Sequence, residues 1–402
     1  MQICISKIPF YCEFCLQTHT LLDKQDATFL EFEPFPRSWQ MRLVFFIDNF
    51  RKIGGGTYAQ FVFAKTLALR GHKVVIFAGD KNFYSEELKV ENLTVYYRQS
   101  IPVAIKGIGI GELNNWLAAV HRELVIAPFL KKFKPDWIIG YLRVSAIKAE
   151  ILGARLNLKV ANFVYETPDW MEQQLGEKLP PKLMRSWTRT KIAYEKSHVL
   201  IPNSKLSGSN MGKWIAEAKV SEPVYPGIDE SVINTSHNSE RDIDIIYIGR
   251  LNRLKNVDDL LMACGPEHKL AIIGAGDELS RLEEISSSRD LQVEFLGSVS
   301  DDHKWQYLRR SKLLVTPTSF EGFGMPPLEA LASGCKVICS DIPIFREVYG
   351  DEVTYFEVNN VGQLKQKIKE LLEDTNHQSS ELPYRYTWDQ AANTIETILS
   401  SY

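Results

Sequence analysis

The sequence predicts an α/β protein made of two doubly wound parallel sheets with a cleft between them. The chain has 402 residues, 45% of them apolar and 24% charged, which is typical of a packed globular protein. Because one hydrophobic core stops growing at about 250–300 residues, this length predicts two domains. From Met41 onward short apolar strands alternate with amphipathic helices, and the alternation restarts at Ile243, which predicts a parallel sheet in each domain.

The first predicted domain covers residues 41–235. Its first strand precedes a helix from Tyr58 to Leu69, and Gly71 then suits the left-handed cap that ends many helices. Residues 1–40 show no periodic pattern, so we expect a loosely attached extension or an upstream start without functional weight. The predicted strands of this domain are 42–47, 74–77, 137–139, 160–164 and 199–201.

The second predicted domain covers residues 236–384. The boundary lies in Ser231–Arg241, which is rich in serine, asparagine and charge and has no apolar period. Short apolar strands, each followed by a turn and a helix, then recur as in the first domain. These predicted strands are 243–248, 269–273, 293–296, 312–315 and 336–339.

Composition and charge exclude several classes of partner. The formal net charge is -3, so the chain has no basic excess for a phosphate backbone, and we expect no nucleic acid partner. No apolar run reaches the roughly 18 residues that span a bilayer, and Lys7 and Glu13 interrupt the N-terminal apolar stretch, which makes it a poor signal peptide. We therefore expect a cytoplasmic protein.

The six cysteines are too few for a disulfide framework in a chain of this length. Cys264, Cys335 and Cys339 lie in apolar contexts, where we expect reduced, buried thiols. The others cluster near the N-terminus beside a histidine, where one C-x-x-C pair could hold zinc, but a single pair is a weak signal and we expect no metal site. These N-terminal residues are Cys4, Cys12, Cys15 and His19.

The most specific stretch is Thr316–Ala330, which follows a predicted strand and opens a predicted helix. Gly322 and Gly324 let the backbone approach a ligand closely, and Pro326 or Pro327 suits the first helical turn. Free amides and the helix dipole at such a turn form a site for a diphosphate.

Two carboxylates flank this turn, with seven residues between them. Glu321 lies in the loop and Glu329 in the first turns of the helix, so helical spacing does not explain the pair. A carboxylate hydrogen-bonds pairs of hydroxyls well, so we expect one to hold a sugar and the other a ribose. The alternative is that Glu321 caps the loop and Glu329 complements the helix N-terminus.

This element resembles the E-x7-E signature of the retaining GT-B glycosyltransferases of family four, the glycosyl transferases group 1. The resemblance runs from Met41 to the C-terminus and implies the GT-B fold, two Rossmann-like domains about a cleft, with a final helix at 385–402 that returns to the first domain. It implies transfer of a sugar from a nucleotide-sugar to a carbohydrate or lipid-linked acceptor with retention of configuration, without a metal and without a cofactor beyond that co-substrate. The other segments that carry it are 226–229, 247–251, 254–256, 273–277, 295–299 and 332–337.

The same resemblance assigns the donor site. Breaking a glycosyl-diphosphate bond builds negative charge on the leaving group, and cations aimed there lower the barrier by several kcal/mol. Arg250 and Lys255 suit this role, and the alternative is a solvated pair that starts a helix. With Glu321 they are the catalytic residues implied in this domain. The implied donor contacts are Gly249, Gly322, Phe323, Gly324, Met325 and Glu329.

A glycine-rich turn, Gly54–Thr57, follows the first strand. In the family that the chain resembles, this loop lies over the donor phosphates and the acceptor, which implies donor contacts for Gly55 and Gly56. A tight turn that needs positive φ is an equally good account of the glycines.

Strand 160–164 runs into Tyr165 and Glu166, where family members often carry His-Asp facing the sugar. The chain departs from that pattern, because Tyr165 stands in place of the histidine. Front-face retention needs little from an enzymic base, since the leaving phosphate can take the acceptor's proton. We expect Glu166 to orient the donor sugar as a fourth catalytic residue, and a buried structural role is the alternative.

A basic, amphipathic segment covers Leu179–Ser197. Such a helix could lie on an anionic membrane and meet a lipid acceptor, which would place the protein peripherally on the inner face of the membrane. The alternative is the solvated face of a core helix. The basic residues are Lys178, Lys182, Arg185, Arg189, Lys191 and Lys196.

Two alternatives to a glycosyltransferase share these features. An NAD-dependent Rossmann oxidoreductase would have the same fold class, but the triplet 54–56 is not G-x-G-x-x-G, and Asp80 is the nearest acidic candidate for a ribose. A catalytically silent GT-B subunit would fit the departure at Tyr165. The intact carboxylates and cations of the second domain favour an enzyme.

Overall fold

The computed structural model describes residues 40–47, 55–78, 90–97, 121–233, 240–374, 380 and 382–402. The predicted N-terminal extension with its candidate zinc ligands, and Gly54 of the glycine-rich turn, lie outside these residues.

The N-terminal lobe is built on six parallel strands in the order β3-β2-β1-β4-β5-β6. Neighbouring strands pair in register, with Arg42 opposite Lys73 and Leu43 opposite Trp137. The strands are β1 Arg42–Ile47, β2 Lys73–Ala78, β3 Leu93–Tyr97, β4 Trp137–Tyr141, β5 Lys159–Val164 and β6 Val199–Pro202.

The C-terminal lobe repeats this topology, in the order β12-β11-β10-β7-β8-β9. Numbered within its lobe, each sheet has the order 3-2-1-4-5-6 of a dinucleotide-binding fold. The predicted fold class, two doubly wound α/β sheets, is confirmed. The strands are β7 Ile243–Ile248, β8 Lys269–Ile273, β9 Gln292–Gly297, β10 Ser311–Thr316, β11 Lys336–Ser340 and β12 Thr354–Phe356.

Helices cover both sheets. A π-helical turn, Arg122–Ile126, leads into α2, and a 3-10 turn, Arg253–Lys255, precedes α8. In the N-terminal lobe the helices are α1 Gly55–Leu69, α2 Ala127–Phe133, α3 Leu142–Leu156, α4 Pro168–Leu175, α5 Pro181–Glu195, α6 Lys205–Trp214 and α7 Glu230–Ile233. The remaining helices are α8 Val257–Ala263, α9 Leu279–Ser288, α10 Asp301–Arg310, α11 Met325–Ala332, α12 Pro343–Tyr349, α13 Val361–Glu373, α14 Leu382–Arg385 and α15 Trp388–Ser401.

Helix α15 belongs to the core of the N-terminal lobe, although it ends the chain. Trp388 packs edge-on against Phe63 of α1, with ring centroids 5.6 Å apart, and the indole of Trp137 in β4 donates a hydrogen bond to the Leu399 carbonyl at 3.1 Å. Arg70 donates to the Glu396 carboxylate at 2.8 Å. Burial alone would raise the pKa of the Glu396 carboxyl, but hydrogen bonds from His72 and Arg70 outweigh it and lower that pKa to about 2.

The chain crosses between the lobes twice, and the two crossings run side by side. Ile228 donates its amide to the Tyr386 carbonyl at 2.9 Å, and Trp388 donates to the Ile228 carbonyl at 3.4 Å. A Cβ on Gly227 would lie 2.3 Å from the carbonyl carbon of Thr387. Glycine at this position therefore lets the two crossing segments touch.

Cys264, Cys335 and Cys339 are buried and free, as the sequence predicts. Burial raises the pKa of each thiol, that of Cys335 to about 11. Such thiols stay protonated and pack as small apolar side chains. Among the residues that the structure describes, no helix is long and apolar enough to cross a bilayer.

Candidate active site

The candidate site lies where the strand order of the C-terminal sheet reverses, between β7 and β10. Ligands of open parallel sheets bind outside the carboxyl ends of the strands at this reversal. Gly249 and Arg250 follow the end of β7, and the loop 317–324 connects the end of β10 to α11. The fold therefore brings the two predicted halves of the donor site to one edge of one sheet.

Lys255 and Glu321 are joined in an ion pair between these two segments. The Lys255 ammonium also donates a hydrogen bond to the Phe320 carbonyl at 3.3 Å, and only 8% of the residue is exposed. The segments are tied further through the Leu254 carbonyl, which accepts from the Ser319 amide at 3.0 Å and from the Thr318 hydroxyl at 2.9 Å. Two residues that the sequence singled out separately thus form one charged unit.

Arg250 is exposed at the end of β7, with its carbonyl accepting a hydrogen bond from the Tyr247 hydroxyl at 3.0 Å. The positive charge of Arg250 influences the pKa of Glu166, a residue that follows β5 in the other lobe. Burial raises the pKa of the Glu166 carboxyl, while the positive charges of Arg143 and Arg250 oppose that rise. The structure therefore brings Glu166 near the cationic part of the site.

A glycine pair, Gly274 and Gly276, shapes the backbone that carries Arg250. A Cβ on Gly274 would lie 1.8 Å from the Gly249 carbonyl oxygen, and one on Gly276 would lie 1.9 Å from the Leu251 carbonyl oxygen. The Leu251 amide donates to the Ala275 carbonyl at 3.0 Å across the same contact. The Gly-x-Gly segment after β8 therefore packs directly against the backbone of residues 249–251, here called the Arg250 loop.

Gly324, at the turn into α11, has a left-handed backbone conformation, which suits a glycine. Gly324 has φ +87° and accepts a hydrogen bond from the Tyr349 hydroxyl, and its Cβ would lie 2.4 Å from the Phe345 ring. Met325 begins the helix and packs against the cores of both lobes. The described turn is thus held closely against α12.

Phe323 was predicted to contact the donor, but its side chain is a core residue. It is buried with its ring centroid 6.2 Å from that of Tyr225 and 6.0 Å from that of Tyr386. The Phe323 side chain therefore packs among aromatic residues of the core.

On the N-terminal lobe, the predicted phosphate loop meets a cluster of tyrosines. Helix α1 begins at Gly55, and a Cβ on Gly56 would lie 2.4 Å from the Tyr141 hydroxyl oxygen. Tyr165, in the place of the family's histidine, accepts a hydrogen bond from Gln60 at 2.7 Å and packs edge-on against Tyr141. Burial raises the pKa of the Tyr165 hydroxyl, so this group stays neutral.

Helix α5, the predicted membrane helix, has one buried face and one basic face. Trp187 and Tyr194 are buried, while Ile192 is 47% exposed among exposed cations. Lys196 pairs with Glu150 at 3.2 Å. The exposed cations of this face include Lys182, Arg185 and Arg189.

Comparison with known proteins identifies the family of the second lobe. Residues 229–392 match the family described as glycosyl transferases group 1, a span that includes Arg250, Lys255, Glu321 and Glu329. These residues form a glycosyl transferases group 1 domain. The predicted resemblance to the glycosyl transferases group 1 is therefore confirmed for residues 229–392.

Among curated proteins, the chain is 28% identical over 196 residues to the N-acetylgalactosamine-N,N'-diacetylbacillosaminyl-diphospho-undecaprenol 4-alpha-N-acetylgalactosaminyltransferase of Campylobacter jejuni, a match covering 46% of this chain and 53% of that protein. It is 30% identical over 140 residues to the O-antigen chain mannosyltransferase B of Escherichia coli, covering 32% and 36% of the two chains. The matches thus span about half, or less, of the length of these relatives.

Solved structures match the fold of this chain over 90% of its length. The sucrose-phosphate synthase of Thermosynechococcus elongatus has a TM-score of 0.71 and 17% identity, with 90% of this chain and 98% of that chain covered. Anabaena HepE in complex with UDP and glucose has a TM-score of 0.71 and 17% identity, covering 90% and 100% of the two chains. The glycosyl transferases group 1 domain therefore sits in a two-lobed GT-B fold.

Within the glycosyl transferases group 1 domain, Glu329 has a partner that sequence reasoning missed. Lys304 of α10 pairs with the Glu329 carboxylate at 2.7 Å and with Asp301 at 3.2 Å. Burial opposes the charge on Lys304, but Glu329 and Asp301 outweigh it and raise the pKa of the ammonium. Glu329 is only 7% exposed, so a ribose would have to share this carboxylate with Lys304.

Proposed function

We propose that the protein is a retaining glycosyltransferase that moves a sugar from a nucleotide-sugar donor to a carbohydrate or lipid-linked acceptor. The observation that carries the proposal is the Lys255–Glu321 pair beside Arg250 at the strand-order reversal of the glycosyl transferases group 1 domain. The relatives support it, since one by its name acts on a diphospho-undecaprenol-linked substrate and one structure holds UDP and glucose.

The chemistry follows from where the charges lie. As the bond between the sugar and the diphosphate breaks, the electron pair goes to the phosphate oxygen, and Arg250 and the one remaining N–H donor of Lys255 stabilise that charge. Glu321, paired with Lys255, accepts hydrogen bonds from sugar hydroxyls. The acceptor oxygen bonds to the sugar carbon on the face that the phosphate leaves, and its proton passes to that phosphate. The two cations supply the positive charge that a divalent metal would otherwise bring.

The experiment that tests this function is a donor screen with the purified protein. We expect one or more of UDP-, GDP- and ADP-sugars to raise the melting temperature and to release nucleotide when an acceptor is present, because ligands that bind only the folded state stabilise it. Turnover should persist in EDTA. Stabilisation by NAD, with none by any sugar nucleotide, would instead assign the chain to the oxidoreductases.

A lipid-linked acceptor would be reached at a membrane surface, and the exposed basic face of α5 is the surface we assign to that contact. The purified protein should co-sediment with vesicles containing phosphatidylglycerol and not with neutral phosphatidylcholine vesicles. Equal behaviour with both vesicles would remove membrane contact from the proposal without affecting the donor assignment.

Glu166 is proposed to orient the donor sugar as a carboxylate. Because burial raises the pKa of Glu166 above its ordinary value of 4.5, this residue takes up a proton earlier than an exposed glutamate as the pH falls. We expect kcat/KM to fall on the acid side with a midpoint above 4.5, and Glu166→Gln to lower the rate at neutral pH and to abolish that acid limb.

The control for this pH profile is Glu195→Gln, which changes an exposed glutamate of α5. It should keep the rate and the acid limb of the unaltered protein. An acid limb of the same midpoint in Glu166→Gln would show that another group titrates.

A further inference from the structure

The N-terminal lobe contacts the Glu321 loop on both sides of Glu321. The Asn203 side-chain amide donates a hydrogen bond to the Gly322 carbonyl at 3.0 Å. The Trp170 ring meets the Phe320 ring edge-on, with centroids 4.9 Å apart and planes at 66°. The residues before and after Glu321 are therefore both held by the opposite lobe.

Asn203 is itself firmly placed. It follows β6 and is 4% exposed, and the next residue, Ser204, caps α6 by accepting from the Ser207 amide at 3.0 Å. The Glu347 carboxylate of α12 accepts the first two amides of α6, at 2.7 and 2.8 Å. The turn that carries Asn203 is thus fixed to the C-terminal lobe by a second contact, so its amide has little freedom to lose.

The Asn203 side chain also has a buried polar atom that destabilises the fold and that packing alone does not require. Its Oδ1 atom is buried and has no hydrogen-bond partner in the part of the chain that the structure describes. A buried amide oxygen without a partner destabilises a fold by about 1–3 kcal/mol. The hydrogen bond that this side chain does make is the one to Gly322, which favours a role in placing the loop.

Trp170 is anchored in the same manner on the other side. It lies in the first turn of α4, its amide donates to the Thr167 hydroxyl at 3.4 Å, and 9% of it is exposed. Glu166, whose carboxyl pKa is raised by burial and lowered in part by the charge of Arg250, lies just before this turn. The segment 166–170 therefore approaches the donor site at two points.

The loop is held by its own lobe at Thr318, Ser319 and Gly324, but a glycine directly follows Glu321, so Glu321 gains from further support. Two glycines, Gly322 and Gly324, follow Glu321, and glycine reaches more backbone conformations than any other residue. A group that holds a reacting sugar must be placed within about 0.5 Å. Support for Glu321 from the lobe of the acceptor would meet that requirement.

We propose that Asn203 and Trp170 are positioning residues for Glu321, so that the lobe which binds the acceptor also sets the geometry of the donor site. The expected effect on turnover rests on the proposed function, whereas the expected effect on the mobility of the loop does not. Their loss should loosen residues 320–324 and slow sugar transfer more than it weakens donor binding.

The first arm of the test measures the loop directly. Hydrogen–deuterium exchange of peptides covering 318–325 is compared in the unaltered full chain and in Asn203→Asp, which keeps the side-chain shape but cannot donate to Gly322. We expect amide exchange in this segment to be about tenfold faster or more in the variant, because local opening becomes easier. Asn203→Ala and Trp170→Leu should show the same direction, and two independent positions guard against a variant that fails to fold.

The matched control is Asn210→Asp in α6, where the side-chain nitrogen of Asn210 is buried without a hydrogen-bond partner among the described residues. It should exchange like the unaltered chain in 318–325. Unaltered exchange in this segment for both Asn203 variants and for Trp170→Leu overturns the inference.

The second arm uses the donor that the screen identifies. We expect kcat of Asn203→Asp to fall about tenfold or more while the donor KM changes less than about threefold, since orientation rather than binding is lost. A KM that rises with an unchanged kcat overturns the positioning role, even if exchange is faster. If the unaltered protein turns over no sugar nucleotide, the proposed function fails, and the exchange arm still decides whether the opposite lobe holds the Glu321 loop.

Discussion

Replacing Lys255 by alanine should lower kcat by about 10²–10³-fold, the cost of removing one preorganised group that stabilises transition-state charge. Lys255 is nearly buried, bonds the Phe320 carbonyl and is paired with Glu321, so its charge is fixed in place before the diphosphate arrives. The melting temperature should change little, because the Glu321 side chain is 21% exposed and can be hydrated when its partner is gone. Turnover at saturating donor and thermal unfolding measure the two effects.

The matched control is Arg253→Ala. Arg253 lies in the same 3-10 turn but is exposed, so it should retain near-normal turnover. Glu321→Ala should lose a similar factor to Lys255→Ala, and the double variant should lose much less than the product, because the two side chains act as one unit. Near-normal rates in both single variants would remove these residues from the mechanism.

Gly276→Ala should impair both stability and turnover, although it adds only a single methyl group. Its Cβ would lie 1.9 Å from the Leu251 carbonyl oxygen, a backbone atom that cannot rotate away. That oxygen also accepts the Glu278 amide at 3.1 Å, so the Arg250 loop has to shift and this bond is strained. We expect a loss of about 1–3 kcal/mol in the free energy of unfolding and a fall in kcat of about tenfold or more.

Urea unfolding and steady-state kinetics of Gly276→Ala give these values. The control is Gly212→Ala in helix α6, where a Cβ would meet nothing within 4 Å and alanine suits a helix better than glycine. It should be neutral or slightly stabilising. Normal kinetics in Gly276→Ala would show that the Arg250 loop does not depend on this close approach.

Local patterns in the sequence predicted most of the architecture. Strand β7 was predicted at its observed bounds, since a run of six residues that is largely apolar and β-branched is an unambiguous buried strand. The strands β3 and β12 were missed, because β3 is only partly buried and β12 has only three residues. The two parallel sheets followed from the alternation of strands and helices, but their strand order did not, because doubly wound sheets with other orders show the same alternation.

The site was predicted as a set of residue types rather than as a set of contacts. The chemistry of a leaving diphosphate pointed to Arg250, Lys255 and Glu321, but no local pattern gave the ion pair that Lys304 makes with Glu329, or the bond from Asn203 to Gly322. Those partners are 25 and 119 residues apart in the chain. Such contacts depend on how helices pack on the sheets, which the periodicity of one segment does not encode.

The packing of α15 on α1 determines when the core of the N-terminal lobe can be completed during synthesis. Because Trp388, Ile395 and Leu399 complete the apolar interior around Phe63, the lobe that the ribosome makes first lacks part of its core until these residues emerge. The second lobe lies between them in the chain and will have been synthesised by then. We therefore expect the two lobes to reach their final stability together, as one cooperative unit rather than as two independently folding domains.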